Sequence, residues 1–188
     1  MIENNITFII PSLNRPTLKR TIESLVQQSV PNWKAIVVYD GVDGESFDDD
    51  RVKTIKIEKT GLIGPNNGQS GLVRNKGIKL SETEWIGFLD DDDTINKDYV
   101  KILFEKYNKY DFVVWRMAYE NGLVLPPFYL NELKFATIGI SFCYKKTIFK
   151  ELFFSQNRDG EDFDFLMELK KQSNKFVITP EVMYNVRH

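Results

Sequence analysis

Short runs of apolar and β-branched residues alternate along the chain with segments in which apolar residues recur every three or four positions. Such runs predict buried strands, and the longer period predicts helices that pack on them. Strands are expected at 6–10, 34–39, 52–58, 85–89, 112–115, 138–144 and 175–178. Helices are expected between the first two strands and at 70–80, 98–104 and 161–171. This alternation predicts βαβ units and an α/β fold.

The first two helices have the clearest apolar stripes. Pro16 can occupy a first helical turn, and Val30-Pro31 ends the first helix. Its inward residues are expected to be Leu18, Ile22, Leu25 and Val26. Those of the second helix are expected to be Leu72, Val73, Gly77, Ile78 and Leu80. We expect both stripes to face the sheet.

Four consecutive aspartates, Asp90 to Asp93, follow directly on the predicted strand 85–89. Adjacent carboxylates repel one another, so a divalent cation or strong hydrogen bonds must offset their charge. Open α/β sheets bind ligands at the carboxyl ends of their strands, where Asp40 also falls. A second acidic run, 48–50, has no strand before it and is expected to be a solvated loop. The first run therefore predicts a cation that holds a phosphate.

Length and composition restrict the class of protein. With 188 residues, 42% hydrophobic and 28% charged, the chain is expected to form one domain over 1–188. The net charge of -2 gives no general basic surface, which argues against a nucleic-acid partner. Cys143 lies in an apolar run and is expected to be a buried thiol. Neither a signal peptide nor a spanning segment is recognised, so we expect a cytoplasmic protein, with a peripheral membrane location as the alternative.

Six motifs follow one another in order. They are Pro11-Ser12-Leu13-Asn14 within 8–16, Tyr39-Asp40-Gly41, Arg74-Asn75 within the glycine-containing stretch 68–77, Leu89-Asp90-Asp91-Asp92-Asp93, Gly160-Glu161-Asp162 and Tyr184-Asn185-Val186-Arg187-His188. In this order the chain resembles the family 2 glycosyltransferases. The resemblance covers nearly the whole chain and implies a Rossmann-like GT-A fold, with a mixed, mostly parallel sheet flanked by helices. It also implies a nucleotide diphosphate sugar donor, with UDP-sugars favoured.

The resemblance implies a set of donor-binding residues. They are Pro11, Ser12, Asn14, Asp40, Arg74, Asp90, Asp91 and Arg187. Asp40 would accept the imide N–H of uracil or thymine, and Arg74 would contact the diphosphate or the base. Structural alternatives stay open: Asp40 also suits a turn before Gly41, and Arg74 also suits an exposed helix surface. The glycines in 61–71 allow a loop to approach a ligand, without forming a recognised phosphate-loop motif.

Metal binding and catalysis are implied in the same way. Asp92 and His188 would bind Mn²⁺ or Mg²⁺, for which carboxylate oxygens are suitable ligands. Asp162 would accept the proton of the acceptor hydroxyl as the sugar is transferred with inversion, and Glu161 is the alternative base. Without the resemblance, both carboxylates would be ascribed to a favourable interaction with a helix dipole. Arg187 and His188 are adjacent, whereas the family's ending separates them, so both roles stay open.

The predicted function is metal-dependent, inverting transfer of a sugar to a hydroxyl acceptor in glycan or polysaccharide synthesis. The acceptor could be a glycan, a lipid-linked molecule or a protein. Segment 119–137, a second subunit of a homo-oligomer or an additional domain would hold it, and Trp115 or Phe128-Tyr129 could stack on sugar rings. Core packing is the alternative for Trp115. A non-catalytic nucleotide-sugar or glycan-binding module also stays open, whereas a nucleotidyltransferase would need a basic triphosphate loop that 9–14 lacks.

Overall fold

The described part of the chain contains nine strands and four helices. The computed structural model describes residues 5–60, 69–149, 151–155 and 160–187. The strands are β1 (Ile6–Ser12), β2 (Trp33–Asp40), β3 (Val52–Ile57), β4 (Trp85–Phe88), β5 (Thr94–Ile95), β6 (Phe112–Tyr119), β7 (Val124–Leu125), β8 (Phe142–Lys145) and β9 (Phe176–Val186). The helices are α1 (Leu18–Val26), α2 (Ser70–Leu80), α3 (Tyr99–Ile102, continued by a π-helical segment Leu103–Tyr107) and α4 (Glu161–Gln172). Within the described ranges, no helix is both long and apolar enough to cross a membrane.

All nine strands belong to one sheet. Its order is β3-β2-β1-β4-β8-β6-β9-β5, and β7 pairs with β6. Parallel pairs join β1 to β2 and β4, β2 to β3, and β6 to β9, whereas β8 lies antiparallel between β4 and β6. It follows that β1, β2, β3, β4, β6 and β9 run in one direction. The predicted mixed, mostly parallel sheet is confirmed, and the carboxyl ends of these strands meet at one edge.

Helices cover both faces of the sheet. On one face, Val73 of α2 packs with Ile36 and Val38 of β2. Side chains of a strand alternate between its two faces, so Val37 points to the other side. There it joins the large core cluster that includes Leu18 of α1. Cys143 is fully buried in this core, as its apolar surroundings predict.

Two residues predicted to face the sheet are exposed instead. Val26 has an exposed fraction of 48% and Leu80 one of 45%. Successive helical residues are rotated by about 100° around the axis. Val26 directly follows the buried Leu25, so this rotation turns it away from the sheet. The prediction that Val26 and Leu80 pack inward is therefore wrong, and Leu72 is only half-buried.

The two strands nearest the carboxyl end differ most from prediction. The strand expected at 175–178 extends over Phe176–Val186, through Pro180. Its register with β6 is irregular between Val114 and Arg116, opposite the stretch that contains Pro180. A proline, which has no N–H to donate, is tolerated at such an irregularity. In the strand expected at 138–144, pairing is confined to Phe142–Lys145, although Ile138 and Ile140 are buried.

Segment 119–137 is organised around a buried arginine. The side chain of Arg116 is only 2% exposed and lies beneath this segment. Its guanidinium donates to the carbonyl oxygens of Pro126, Pro127, Phe128 and Leu130. These contacts explain why the segment, apart from the short strand β7, has no periodic pattern to predict: a side chain holds its backbone.

The aromatic residues considered for sugar stacking have different environments. Trp115 is fully buried, so it cannot stack on a ligand, and core packing accounts for it. Phe128 and Tyr129 are 59% and 85% exposed. Phe128 and Tyr129, unlike Trp115, therefore present an accessible aromatic surface.

Replacement of Gly77 by alanine tests the contact between α2 and β1. A Cβ atom at this position would lie 2.4 Å from Cγ2 of Ile9. Alanine in a helix is usually favoured over glycine by about 1 kcal/mol, but overpacking a core costs roughly 1–3 kcal/mol. We expect Gly77→Ala to lower the free energy of unfolding, measured by urea denaturation.

The exposed neighbour Lys76 on the same helix provides a matched control. Lys76→Ala should change the free energy of unfolding by less than about 0.5 kcal/mol. Equal or greater stability of Gly77→Ala would show that α2 can move away from β1 without cost.

Candidate active site

The four aspartates that follow β4 alternate between exposed and buried environments. Asp91 and Asp93 are 5% and 4% exposed as residues. The side chains of Asp90 and Asp92 are 34% and 21% exposed. The run therefore has two faces, one turned into the protein and one turned outward at the sheet edge.

The two buried aspartates join neighbouring strands at this edge. Asp91 accepts hydrogen bonds from Oγ of Ser12 (2.7 Å) and from the N–H of Leu13 (3.3 Å). Burial raises the pKa of Asp91, while the Ser12 hydrogen bond and Arg15 oppose the shift. Asp93 accepts from the N–H of Arg187 at 2.9 Å, and burial raises its pKa to about 6. Asp91 thus links the acidic run to the end of β1, and Asp93 links it to the end of β9.

Asp92 lies beside two arginines of the first crossover, neither of which was singled out from the sequence. Nη1 of Arg15 is 2.5 Å from its Oδ2 and 3.4 Å from Oδ1 of Asp91. Nη2 of Arg20 donates to the backbone carbonyl of Asp92 at 2.7 Å. The sequence did contain a positional signal for both arginines. Because α1 begins just after β1, the residues at its start lie at the same sheet edge as the acidic run. Arg15 thereby neutralises part of the charge on the outward face.

The last residues of β1 and β2 accept hydrogen bonds from backbone N–H groups. Ser12 Oγ accepts the N–H of Asn14 at 2.9 Å, and Asn14 has a φ of 59°, which asparagine tolerates better than most residues. Asp40 is 3% exposed and accepts from the N–H (2.7 Å) and Oγ1 (3.1 Å) of Thr60. Pro11 directly precedes Ser12 near the end of β1. Asp40 therefore has a structural contact with Thr60, which is not the turn before Gly41 that its Asp-Gly sequence suggested.

Arg74 connects the acidic run to the beginning of α4. Its side chain is 3% exposed, and its Nη2 is 2.5 Å from Oδ1 of Asp90. Its Nη1 is 3.3 Å from Oδ1 of Asp162 and 3.7 Å from Oε1 of Glu161. The alternative of a surface helix arginine is thus wrong. The structure places Arg74, Asp90, Glu161 and Asp162 in one cluster.

The electrostatics of this cluster favour a carboxyl group that titrates near neutral pH. Burial raises the pKa of Asp162 to about 7, Arg74 opposes the shift, and Asp90 and Glu161 add to it. Burial alone would lower the pKa of Arg74, but the three carboxylates outweigh it and raise that pKa above its usual value. Arg74 therefore stays charged, whereas Asp162 can exchange a proton near pH 7.

The donor set suits a divalent cation only in part. In the described ranges, no three His, Cys, Asp or Glu side chains are grouped to hold a metal ion. Mg²⁺ is commonly bound through one or two carboxylates, with substrate phosphates and water as the other ligands. The partly exposed Asp92 fits that kind of site. His188 lies outside the described residues, and the Arg187 side chain is 3.8 Å from Glu120, so Arg187 reaches the acidic run through its backbone N–H.

The fold of this chain matches solved structures of GT-A type. Staphylococcus aureus TarS in complex with UDP-GlcNAc superimposes with a TM-score of 0.76 and 21% identity, over 98% of this chain and 58% of that one. The mannosyltransferase PcManGT from Pyrobaculum calidifontis, in complex with GDP-Man and Mn²⁺, gives a TM-score of 0.64 and 14% identity, over 96% and 56%. These likenesses confirm the predicted GT-A architecture.

Sequence comparison identifies the family. The profile described as Glycosyl transferase family 2 matches residues 7–159, and the chain belongs to that family. A curated relative is the poly(ribitol-phosphate) beta-N-acetylglucosaminyltransferase TarP of Staphylococcus aureus. It is 22% identical over 96% of this chain and 62% of its own length. The chain spans between 31% and 62% of the length of the first five curated relatives it matches.

Tyr184 is expected to stabilise the acidic run, and Tyr144 gives a matched comparison. Both side chains are at most 1% exposed. The hydroxyl of Tyr184 accepts the N–H of Asp90 at 3.1 Å and hydrogen-bonds to Asp93. The buried hydroxyl of Tyr144 has no hydrogen-bond partner among the residues described. Tyr184→Phe should lower the free energy of unfolding by about 1–3 kcal/mol, because it leaves buried polar groups unpaired.

Tyr144→Phe should leave the free energy of unfolding unchanged or raise it, because no hydrogen bond is lost. Urea denaturation of both variants at one pH measures the difference. Equal losses in the two variants would contradict the role assigned to the Tyr184 hydroxyl.

Proposed function

We propose that this chain is the donor-binding and catalytic part of an inverting glycosyltransferase that moves a sugar from a nucleotide diphosphate sugar to a hydroxyl group. One observation carries the proposal. A single guanidinium, that of Arg74, contacts both Asp90 of the acidic run and Asp162 at the start of α4. A group able to accept a proton therefore lies beside the sheet edge at which the donor's diphosphate would bind.

A UDP-sugar is the favoured donor. TarS was solved with UDP-GlcNAc and PcManGT with GDP-Man, which supports a nucleotide diphosphate sugar as the class of ligand. A carboxylate has about four lone-pair sites, so Asp40 can bind Thr60 and still accept the imide N–H of a uracil. Ser12 and Asn14 lie in the turn after β1 at the same edge, where they would border the ribose.

Asp92 is proposed to hold Mn²⁺ or Mg²⁺ together with the diphosphate, as supported by its partial exposure and by the Mn²⁺ in PcManGT. When bound, such an ion offsets the charge on the departing nucleoside diphosphate. Asp90 would contact a ribose or sugar hydroxyl through its exposed side. Participation of His188 remains a prediction.

Asp162 is proposed as the general base. Its carboxylate would accept the proton of the acceptor hydroxyl while that oxygen bonds to the anomeric carbon and the nucleoside diphosphate leaves. One base on the side opposite the leaving group gives inversion. The name of the relative TarP includes a beta-linked transfer, which inversion would give from an α-linked donor.

The acceptor is proposed to lie against segment 119–137. This segment begins where β6 ends, at the same sheet edge as the acidic run. Its Phe135 is 64% exposed and packs edge-to-face on Phe163 of α4, with ring centroids 5.5 Å apart. A polymer of the cell surface, such as the ribitol phosphate chain in the name of TarP, is the proposed class of acceptor.

Donor and metal binding can be tested by thermal unfolding. UDP-, GDP-, dTDP- and CMP-sugars are each added with and without Mn²⁺. We expect UDP-sugars to raise the melting temperature in a Mn²⁺-dependent manner, because a ligand at a hundred times its Kd stabilises the folded state by about 2.7 kcal/mol. Asp92→Asn should lose the Mn²⁺-dependent part. If no nucleotide sugar gives a metal-dependent shift, the donor assignment is wrong.

The role of Asp162 can be tested by UDP release from UDP-GlcNAc. Because the pKa of Asp162 is raised to about 7, kcat/KM should fall tenfold per pH unit below that value and level off above it. Asp162→Asn should retain UDP binding and lose a factor of about 10²–10⁴ in rate.

Glu161→Gln is the comparison for this experiment: it should keep the acid limb but move it to lower pH, because the Glu161 carboxylate helps to raise the pKa of Asp162. Normal turnover by Asp162→Asn would transfer the base role elsewhere, first to Glu161. Tight UDP-GlcNAc binding by the wild-type protein without any turnover would instead identify a non-catalytic binding module.

A further inference from the structure

Among the described residues, Arg74 is the most deeply buried cation at the candidate site, and both of its terminal nitrogens contact carboxylates. Nη2 contacts Asp90 at 2.5 Å, and Nη1 lies between Asp162 at 3.3 Å and Glu161 at 3.7 Å. With 3% of its side chain exposed, the guanidinium faces protein carboxylates rather than open solvent. The hydrogen bonds of its terminal nitrogens thus go to protein carboxylates, those of Asp90 and Asp162.

The surroundings of Arg74 hold its side chain in one orientation. The ring of Phe154 lies 5.6 Å from Cζ of Arg74. Asn75 fixes Phe154 by two hydrogen bonds, from its Nδ2 to the Phe154 carbonyl (2.9 Å) and from the Phe154 N–H to its Oδ1 (2.8 Å). One turn earlier in α2, Oγ of Ser70 donates to Glu161 at 2.9 Å. Helix α2 therefore contacts the first turn of α4 through the side chains of Ser70 and Arg74.

The charges in this cluster do not cancel. One guanidinium faces the carboxylates of Asp90, Glu161 and Asp162, which leaves an excess of negative charge when all three are ionised. A carboxylate in such a group is ionised near neutral pH only if its cation stays close. Asp162 depends on Arg74 most directly, because among the described residues its other charged neighbours, Asp90 and Glu161, repel its ionised form.

We propose that Arg74 is a positioning residue for the base: it holds the Asp162 carboxylate at a fixed place beside the acidic run and keeps it ionised, and it does not bind the diphosphate. This inference rests on the proposed function, because it assigns Arg74 a part in proton transfer. It differs from the expectation drawn from the sequence, in which Arg74 contacts the donor.

The two roles predict opposite effects of replacing Arg74. Loss of a diphosphate contact would weaken UDP binding and leave the ionisation of Asp162 unchanged. Loss of a positioning residue would leave Asp162 facing only Asp90 and Glu161, which raises its pKa. Because the base acts in its ionised form, the acid limb of the rate profile would then move to higher pH.

The experiment compares Arg74→Gln and Arg74→Lys with the wild-type protein. The titration of Asp162 is followed by ¹³C NMR of side-chain carboxyl groups in metal-free protein, with Asp162→Asn to assign the resonance. We expect the midpoint to rise by about one pH unit or more in Arg74→Gln, the usual effect of losing one adjacent cation. Arg74→Lys keeps the charge without the fork geometry and should show a smaller rise.

Two further measurements use UDP with Mn²⁺ and UDP-GlcNAc. The acid limb of kcat/KM for UDP release should move with the NMR midpoint. The Kd for UDP, measured by calorimetry, should stay within about threefold of the wild-type value, because no contact with the nucleotide is removed. Asp90→Asn, which removes the other end of the bridge, shows how much of any change in Kd arises through Asp90.

The proposal is overturned if Asp162 titrates at the same pH in Arg74→Gln and wild type, or if UDP binding weakens by about tenfold or more with an unmoved acid limb.

If Arg74→Gln does not fold, Arg74→Lys and the double variant Arg74→Gln/Asp162→Asn decide the matter. Recovery of folding in the double variant shows that Arg74 is needed to neutralise Asp162. Failure of the proposed function is a separate outcome: the wild-type protein would then bind no UDP-sugar, or bind it without turnover, whatever the pH at which Asp162 titrates.

Discussion

The site depends on one buried guanidinium, that of Arg74, which compensates the charge of several partly buried carboxylates. Arg74 belongs to α2, Asp90 to the end of β4, and Asp162 to the first turn of α4, so the ion pairs join three elements that are distant in sequence. Removing the cation from a buried group of this kind leaves uncompensated charge and usually costs several kcal/mol. The position of α4, and with it the candidate base, is therefore tied to the strand that carries the acidic run.

The acidic run divides into structural and accessible members. Asp91 and Asp93 turn inward and bind the ends of β1 and β9, while Asp90 and Asp92 turn outward. The run forms a turn after β4, in which the N–H of Asp93 donates to the carbonyl oxygen of Asp90 at 3.1 Å. Four adjacent aspartates are thus accommodated because only two of them meet solvent or ligand, and each buried one has its own donors.

Local sequence patterns predicted the elements well, because strands and helices depend on neighbouring residues. These patterns failed where residues distant in sequence determine the structure. Pro180 lies in a strand because the register with β6 is irregular. The backbone of segment 119–137 is held by hydrogen bonds from the side chain of Arg116. The same limit applies to the site. Motif order made Asp90 and Asp162 candidates, but it did not predict their joint contact with Arg74, which spans 16 and 88 residues of sequence. Arg15 and Tyr184 were missed as partners of the run for the same reason.

The charge balance at the sheet edge bears on how an anionic donor could bind. Asp90 and Asp92 are partly exposed, and the terminal nitrogens of Arg74 face carboxylates. Among the described residues, the cations beside Asp92 are Arg15 and Arg20. A diphosphate adds further negative charge to this surface, where the attraction of exposed arginines is weakened by solvent. Under the proposed function, a divalent cation at Asp92 would offset this charge, and metal and donor binding would then depend on each other.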